Sequence, residues 1–255
     1  MNRVHAGPRA AVVWEVLRRE LDRADGRTLT IVDVGGGTGG FAVPLAEAGH
    51  RVTVVDASPD ALAALTRRAA EAGVAERVTA VQGDGDRLAD LVAPGSADLV
   101  LCHSLLEVVD DPSSVVSAVA GVLCPGGAAS VLVANRAAAV LARAVAGHLS
   151  AASALLDDPD GGDRPGTRRD APRRRFDAAS ANRLLRGAGL IVEEIHGVRV
   201  IADLVPGSVA DADQSALLEF ELAASARSPY RDIATQLHLL ARRRDRVERP
   251  ATEAA

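Results

Sequence analysis

The chain has 255 residues, 48% hydrophobic and 25% charged, a balance that excludes a disordered or fibrous protein and provides for one large globular domain or two small ones. A net charge of −5 excludes the overall basic signature of nucleic-acid binding, although arginines cluster locally. Aromatics make up only 2%, and every basic residue counted as Lys or Arg is Arg, a bias read as genomic composition and given no functional weight.

Ala10–Arg23 reads as a helix whose apolar face is Val13, Trp14, Val16, Leu17 and Leu21. A strand at 29–34, a helix at 40–48 and a strand at 51–55 follow. Ser58-Pro59-Asp60 opens the next helix, with Ser at the cap and Pro in the first turn, and Gly73 ends it. Val78–Gln82 is a third strand, Ala97–Cys102 a fourth, and Ser113–Leu123 a helix. Pro125-Gly-Gly127 reads as a tight turn before a fifth strand, Ala129–Ala134. Residues 136–156 look helical, 157–172 read as a loop rich in Gly, Pro, Asp and Arg, and the tail after Arg246 is expected to fray. Helix 177–187, strand 190–195, helix 213–226 and a strand near 235–242 complete the chain. Alternating β and α units predict an α/β, doubly wound, mostly parallel sheet, here of seven strands. Residues 1–255 are read as a single domain, with 136–175 inserted as a helix and an Arg-rich loop.

The richest stretch is Asp33-Val-Gly35-Gly36-Gly37-Thr-Gly39, between a buried strand and a helix start. Glycines there leave room for a ligand, and the free N–H groups of the helix start face it. The strand Arg51–Val55 ends in Asp56, where a carboxylate can accept both hydroxyls of a ribose. Taken alone, the glycines also fit Gly35-x-Gly37-x-x-Gly40, the dinucleotide pattern. Val81-Gln-Gly-Asp84-Gly85-Asp86 after the third strand, Leu123-Cys-Pro-Gly-Gly127, and two late strands flanking a helix resemble the matching segments of S-adenosylmethionine (SAM) methyltransferases, and that resemblance favours SAM over NAD.

These elements resemble class I SAM-dependent methyltransferases. Beyond that class, nearly the whole chain resembles the bacterial tRNA 5-carboxymethoxyuridine methyltransferase family. The matching residues are Pro8–Trp14, Asp33–Gly37, Gly49-His50, Cys102-His-Ser-Leu-Leu-Glu-Val-Val109, Leu123–Gly127 and Asn135, then Gly197-Val-Arg-Val200, Leu217-Leu-Glu219, Ser228-Pro-Tyr230 and His238–Arg242. The chain departs from the family's pattern at Val108 and Ala134, where the family has aromatics.

The resemblance implies that Arg9 meets the cofactor's carboxylate end, Gly35 and Gly36 its methionine part, and Asp56 its ribose, with Gly85 and Asp86 flanking adenine. His103, after the fourth strand, is expected to line the site. Arg168, Arg169, Arg173, Arg174 and Arg175 are candidate contacts to tRNA phosphates, which need cationic reach and little sequence precision. Arg242, Arg243, Arg244, Arg246 and Arg249 form a second cluster. The family's substrate carboxylate is ionised at neutral pH, so no general base is required, and Arg199 is the candidate group to orient it. Two further readings keep a small-molecule carboxylate or hydroxyl as acceptor, or a non-catalytic SAM-fold binding protein. Cys102 and Cys124 have neither metal-ligand nor pairing spacing, so no metal and a reduced, cytoplasmic setting are expected. No apolar run has the length or flanks of a signal or membrane segment, and no membrane partner is expected.

Overall fold

A computed structural model of the chain describes residues 9–157, 174–205, 207 and 212–244. Its seven-stranded sheet consists of β1 (Thr30–Val34), β2 (Arg51–Asp56), β3 (Val78–Gln82), β4 (Ala97–His103), β5 (Leu123–Ala134), β6 (Leu190–Val198) and β7 (Gln236–Arg243). The strand order is β3-β2-β1-β4-β5-β7-β6. Strands β1 to β5 pair in parallel, and β7 runs antiparallel between β5 and β6. The order reverses between β1 and β4, which opens a crevice beyond the strand carboxyl ends, the usual ligand position in such sheets.

Helices α1 (Ala11–Asp22), α2 (Ala42–Glu47) and α3 (Pro59–Glu71) cover one face of the sheet. Their partners there include Ile31, Val52, Val54, Leu99 and Leu101, the alternate residues of the central strands. On the other face, Val32, Val34, Val100, Cys102, Val131 and Val133 pack against α4 (Leu88–Leu91), α5 (Pro112–Val122) and α8 (Ala178–Gly187). Helices α6 (Arg136–Val145) and α7 (Leu149–Asp157) stand between β5 and α8, and α9 (Gln214–Ser225) and α10 (Tyr230–Ile233) between β6 and β7.

Local sequence explains the helix starts. Ser58 Oγ accepts the Ala61 N–H, Asp111 the Ser113 N–H, Asn135 the Ala137 N–H and Asp213 the Ala216 N–H. Asp177 and Ser180 form a reciprocal capping box. Among the described residues no helix is long and apolar enough to cross a membrane.

One expectation is corrected. Pro125-Gly-Gly127 does not precede the fifth strand but bulges out within it: Leu123 pairs with Ala97, and the next pairing is Ala128 with Leu99. A Cβ on Gly127 would lie 2.9 Å from the Cys124 carbonyl oxygen and 3.1 Å from that of Ala97, so the bulge depends on glycine's missing side chain. Of the loop expected at 157–172, Asp157 ends α7 and residues 158–172, with Arg168 and Arg169, lie outside the described residues, as do Arg173, Arg246 and Arg249.

Candidate functional site

The glycine turn follows β1 directly at the crevice. Gly35 (φ 72°), Gly37 (φ 55°) and Gly39 (φ 79°) all adopt left-handed backbone, which L side chains rarely take. A Cβ on Gly36 would stand 2.5 Å from the Asp33 carboxyl carbon, so the turn closes over this acid only because Gly36 lacks one. At the end of β2, Asp56 Oδ2 accepts the Gly37 N–H and Oδ1 the Ser58 N–H, both at 2.9 Å. Each oxygen keeps a lone pair for a ligand hydroxyl.

Asp33 is 2% exposed, and its Oδ2 has no partner among the described residues. Burial, aided by the Asp56 charge, pushes its carboxyl up to about 7. An acid whose pKa is raised in the fold favours the folded state most below its unfolded value and loses that contribution as pH rises through about 7. Asp33→Asn is therefore expected to gain stability over the native chain between pH 5 and 8, about 4 kcal/mol at the upper end. Thermal melts of both proteins across that range test it; parallel curves would remove this account.

Gly85 and Asp86 lie in a short 3₁₀ turn at 85–87 on the far side of the crevice. A Cβ on Gly85 would come within 3.1 Å of Leu105, and one on Gly35 likewise within 3.1 Å. Leu105 thus sits between the glycine turn and the Gly85 turn, a placement that no sequence signal announced.

His103, at the carboxyl end of β4, packs edge-on against Phe41 (4.7 Å between centroids), which stacks on Trp14 at 5.0 Å. Its Nε2 lies 2.8 Å from Ser130 Oγ, and the same oxygen lies 2.8 Å from Nε2 of the fully buried His238. Burial pushes His103 down to about 3 and lowers His238 well below the ordinary imidazole range, so both rings are neutral near pH 7.

Because β6 runs parallel to β5, its carboxyl end also faces the crevice, and Arg199 follows it there. Arg199 holds a left-handed backbone (φ 58°). Its Nη1 lies 3.4 Å from Asp203 Oδ2, and Arg9 Nε lies 3.3 Å from Asp203 Oδ1. The Arg199 Nε is buried and has no partner among the described residues. The next three backbone N–H groups, of Val200, Ile201 and Ala202, all donate to the buried carboxylate of Glu221 at 2.8 Å. Glu221 lies on the apolar stripe of α9 with Leu217 and Ala224, an acid at a core position that could have been singled out in the sequence.

The described members of the two arginine clusters lie apart. Arg174 donates from its guanidinium to the carbonyls of Val109 and Asp110, pinning the segment after β4. Arg175 is half-buried, and its guanidinium is pushed down by burial and by neighbouring Arg143, with Glu107 acting the other way. Arg242 pairs with Glu193 and Glu20, and Arg243 donates to the carbonyls of Gly121 and Leu123. Both lie at the amino end of β5, away from the crevice. Among the described residues, no group of three or more His, Cys, Asp or Glu could hold a metal ion.

A family model described as a methyltransferase domain matches residues 32–131, from β1 to within β5. The chain is 30% identical over 237 residues to the tRNA 5-carboxymethoxyuridine methyltransferase of Escherichia coli strain K12, covering 92% of this chain and 88% of that protein. It is 36% identical over 137 residues to a ubiquinone biosynthesis O-methyltransferase of Xanthomonas euvesicatoria pv. vesicatoria strain 85-10, covering 52% of this chain and 53% of that one. In fold it is similar to the magnesium protoporphyrin IX methyltransferase of Synechocystis PCC 6803 with bound SAH (TM-score 0.60, 16% identity, 92% of this chain and 84% of that one). It is equally similar to a SAM-dependent methyltransferase of Mesorhizobium loti (TM-score 0.59, 21% identity, 93% and 100%).

Proposed function

The chain belongs to the class I SAM-dependent methyltransferases, and from that premise we propose that it methylates the carboxylate of a modified wobble uridine, 5-carboxymethoxyuridine, in tRNA. The residues present fit the cofactor. The crevice has a glycine turn that a Cβ would fill, an acid at Asp56 that keeps lone pairs for a ligand, and a buried Asp33 carboxylate oxygen without a partner among the described residues. Asp56 would accept the ribose hydroxyls, Gly85 and Asp86 would flank adenine, and Gly35, Gly36 and Gly37 would pass beside the methionine part. Arg9 would meet the carboxylate end, released in part from Asp203. When bound, SAM supplies an electrophilic methyl group on a sulfonium.

The observation that carries a carboxylate acceptor is Arg199. Its Nε, buried and without a partner among the described residues, its Nη1 paired with Asp203, and its backbone, locked beside the Glu221-bound segment, give a fixed cation at the crevice end of β6. A fixed cation orients an oxygen whose charge is already present, and orientation supplies much of the rate in such transfers. His103 supports the same choice: an imidazole held down to about 3 is too weak a base to take a proton from a hydroxyl acceptor, whereas a carboxylate needs no base. The tRNA identity of the acceptor draws support from the 30% identity that spans 92% of the chain.

Mass spectrometry of tRNA nucleosides from a deletion strain tests the reading. The methyl ester of the carboxymethoxy nucleoside is expected to vanish and the free acid to accumulate; an unchanged profile would overturn the tRNA substrate. Arg199→Asn, which tolerates a left-handed backbone, is expected to lower kcat/KM for that tRNA about 10- to 100-fold with SAM affinity held. Unchanged turnover would remove Arg199 from this role.

A second reading, a small-molecule carboxylate or hydroxyl acceptor, draws support from the ubiquinone-type relatives and from Arg242 and Arg243, which are turned away from the crevice. Under the tRNA reading, the phosphate contacts fall to the 168–175 arginines. A non-catalytic binding role predicts no turnover on any acceptor despite SAM binding.

A further inference from the structure

The segment after β6 carries both halves of an ion pair. Arg199 Nη1 lies 3.4 Å from Oδ2 of Asp203, four residues on. The three residues between them, Val200, Ile201 and Ala202, are those whose N–H groups donate to Glu221. The Arg199 carbonyl accepts the Thr235 N–H, and the Ile201 carbonyl accepts those of Leu204 and Val205. Backbone bonds therefore fix where Arg199 and Asp203 stand. Arg9 comes from a different element, two residues before α1, and its Nε reaches the other oxygen, Oδ1, at 3.3 Å. Its side chain is 72% exposed, against 26% for Arg199 and 27% for Asp203.

We propose that Asp203 is a positioning residue shared by two carboxylate sites of the crevice: it holds Arg199 in place for the acceptor carboxylate and gives up Arg9 to the carboxylate of SAM. The inference rests on the methyltransferase reading with a carboxylate acceptor, and adds to it the acid that sets both cations.

The difference between the two pairs decides which arginine leaves. An ion pair with one exposed partner is held weakly against water, so Arg9 changes partners at little cost. Arg199 is tied by its left-handed backbone and by the Glu221-bound residues that follow it. Its Nη1 lies on the side of the guanidinium opposite the Nε–H. Pairing there leaves the edge formed by Nε and Nη2, an edge that takes a carboxylate through two parallel hydrogen bonds. The Nε on that edge is buried and has no partner among the described residues. Without Asp203 the cation would remain but its edge would lose a fixed direction. Asp203 has an opposite effect as well: its own charge, within 3.4 Å of both guanidinium groups, weakens their attraction for any other carboxylate. Orientation is gained and affinity is given up.

Calorimetric titration of the full chain with SAM reads the second effect. Asp203→Asn removes the charge and keeps the shape, and is expected to bind SAM about 3- to 5-fold more tightly than the native chain. Decarboxylated SAM, which lacks the group that Arg9 would meet, is expected to bind both proteins alike, and the gain for SAM is expected to vanish when Arg9→Ala is added. With tRNA from the deletion strain, Asp203→Asn is expected to lower kcat about 10-fold while KM for tRNA stays level or falls. A merely structural Asp203 would instead weaken SAM binding and raise KM together, and that result overturns the proposal. So does an unchanged SAM affinity, a gain shared by decarboxylated SAM, or a kcat within twofold of native on a tRNA that the native chain methylates. Asp203→Ser, which also removes the charge, repeats the titrations should the Asn variant not fold. If the native chain does not methylate that tRNA, the wobble-uridine reading falls while the titrations still decide the role of Asp203, so the two failures stay distinct.

Discussion

Asp56→Ala is expected to weaken SAM binding by about 100-fold or more while the chain remains folded. A hydrogen bond to a charged group contributes roughly 1.5–3 kcal/mol, and the two free lone pairs of Asp56 serve the two hydroxyls of one ribose. The substitution also frees the N–H groups of Gly37 and Ser58, which Asp56 now accepts at 2.9 Å, so the glycine turn loses its tie to the end of β2. The stability cost of that loss is about 1–2 kcal/mol, because these groups remain partly accessible to water. Asp56→Asn is the sharper test. Its amide keeps one acceptor but points an NH2 group at either Gly37 N–H or Ser58 N–H, so it should bind SAM little better than the Ala variant. Calorimetric titration with SAM, alongside a melting curve, checks both. A loss under threefold would remove Asp56 from the ribose site.

Glu221→Ala is expected to carry the largest stability effect of any single substitution at the site. Glu221 is fully buried and satisfies three successive N–H donors, those of Val200, Ile201 and Ala202. Removing the carboxylate leaves three donors without an acceptor and a cavity under the segment. At about 1–3 kcal/mol for each orphaned group, the loss is roughly 3–5 kcal/mol after partial relaxation. For a chain of this size that corresponds to a fall in Tm of roughly 6–20 °C. Activity should fall with it, since the same segment holds Arg199 in its left-handed conformation. Glu221→Gln retains the shape and one acceptor and should recover about half of the lost stability. A Tm within 2–3 °C of the native value for Glu221→Ala would show that water or another group replaces the carboxylate.

These two residues mark the limits of what a sequence can tell. Asp56 was legible because it stands at a fixed distance from a glycine turn: strand, turn, helix, strand and acid are local features, and local spacing survives without coordinates. Glu221 was not, because a glutamate in an Ala- and Leu-rich helix reads as a solvated charge unless its stripe is compared with the core positions at 217 and 224. Ser130 and His238 were hidden for a related reason. Each is a small or aromatic polar residue inside an apolar strand, and nothing in Ser-Val-Leu-Val or Leu-His-Leu-Leu indicates that the two strands are neighbours. The bulge at Pro125-Gly-Gly127 was read as a turn because proline and glycine announce only that the chain departs from regular structure. Whether it leaves the sheet or returns to the same strand is decided by the pairing partner, here Ala97 and Leu99.

By itself the sequence determined the strands and helices, the parallel core and the residues of the glycine turn, because periodicity, capping and turn chemistry act between residues a few positions apart; the methyltransferase class came from the resemblance of those motifs to a known family. Only the tertiary structure decided that Arg199 and Arg9 meet through Asp203, that Glu221 binds the segment beside them, and that Arg242 and Arg243 face away from the crevice. Those facts depend on sheet order and register, which bring together residues separated by tens to hundreds of positions. The glycine turn alone fitted two cofactors, and the acids after β3, the Pro125-Gly-Gly127 segment and the family resemblance chose SAM, while the acceptor had to be argued from side chains that only the fold assembles.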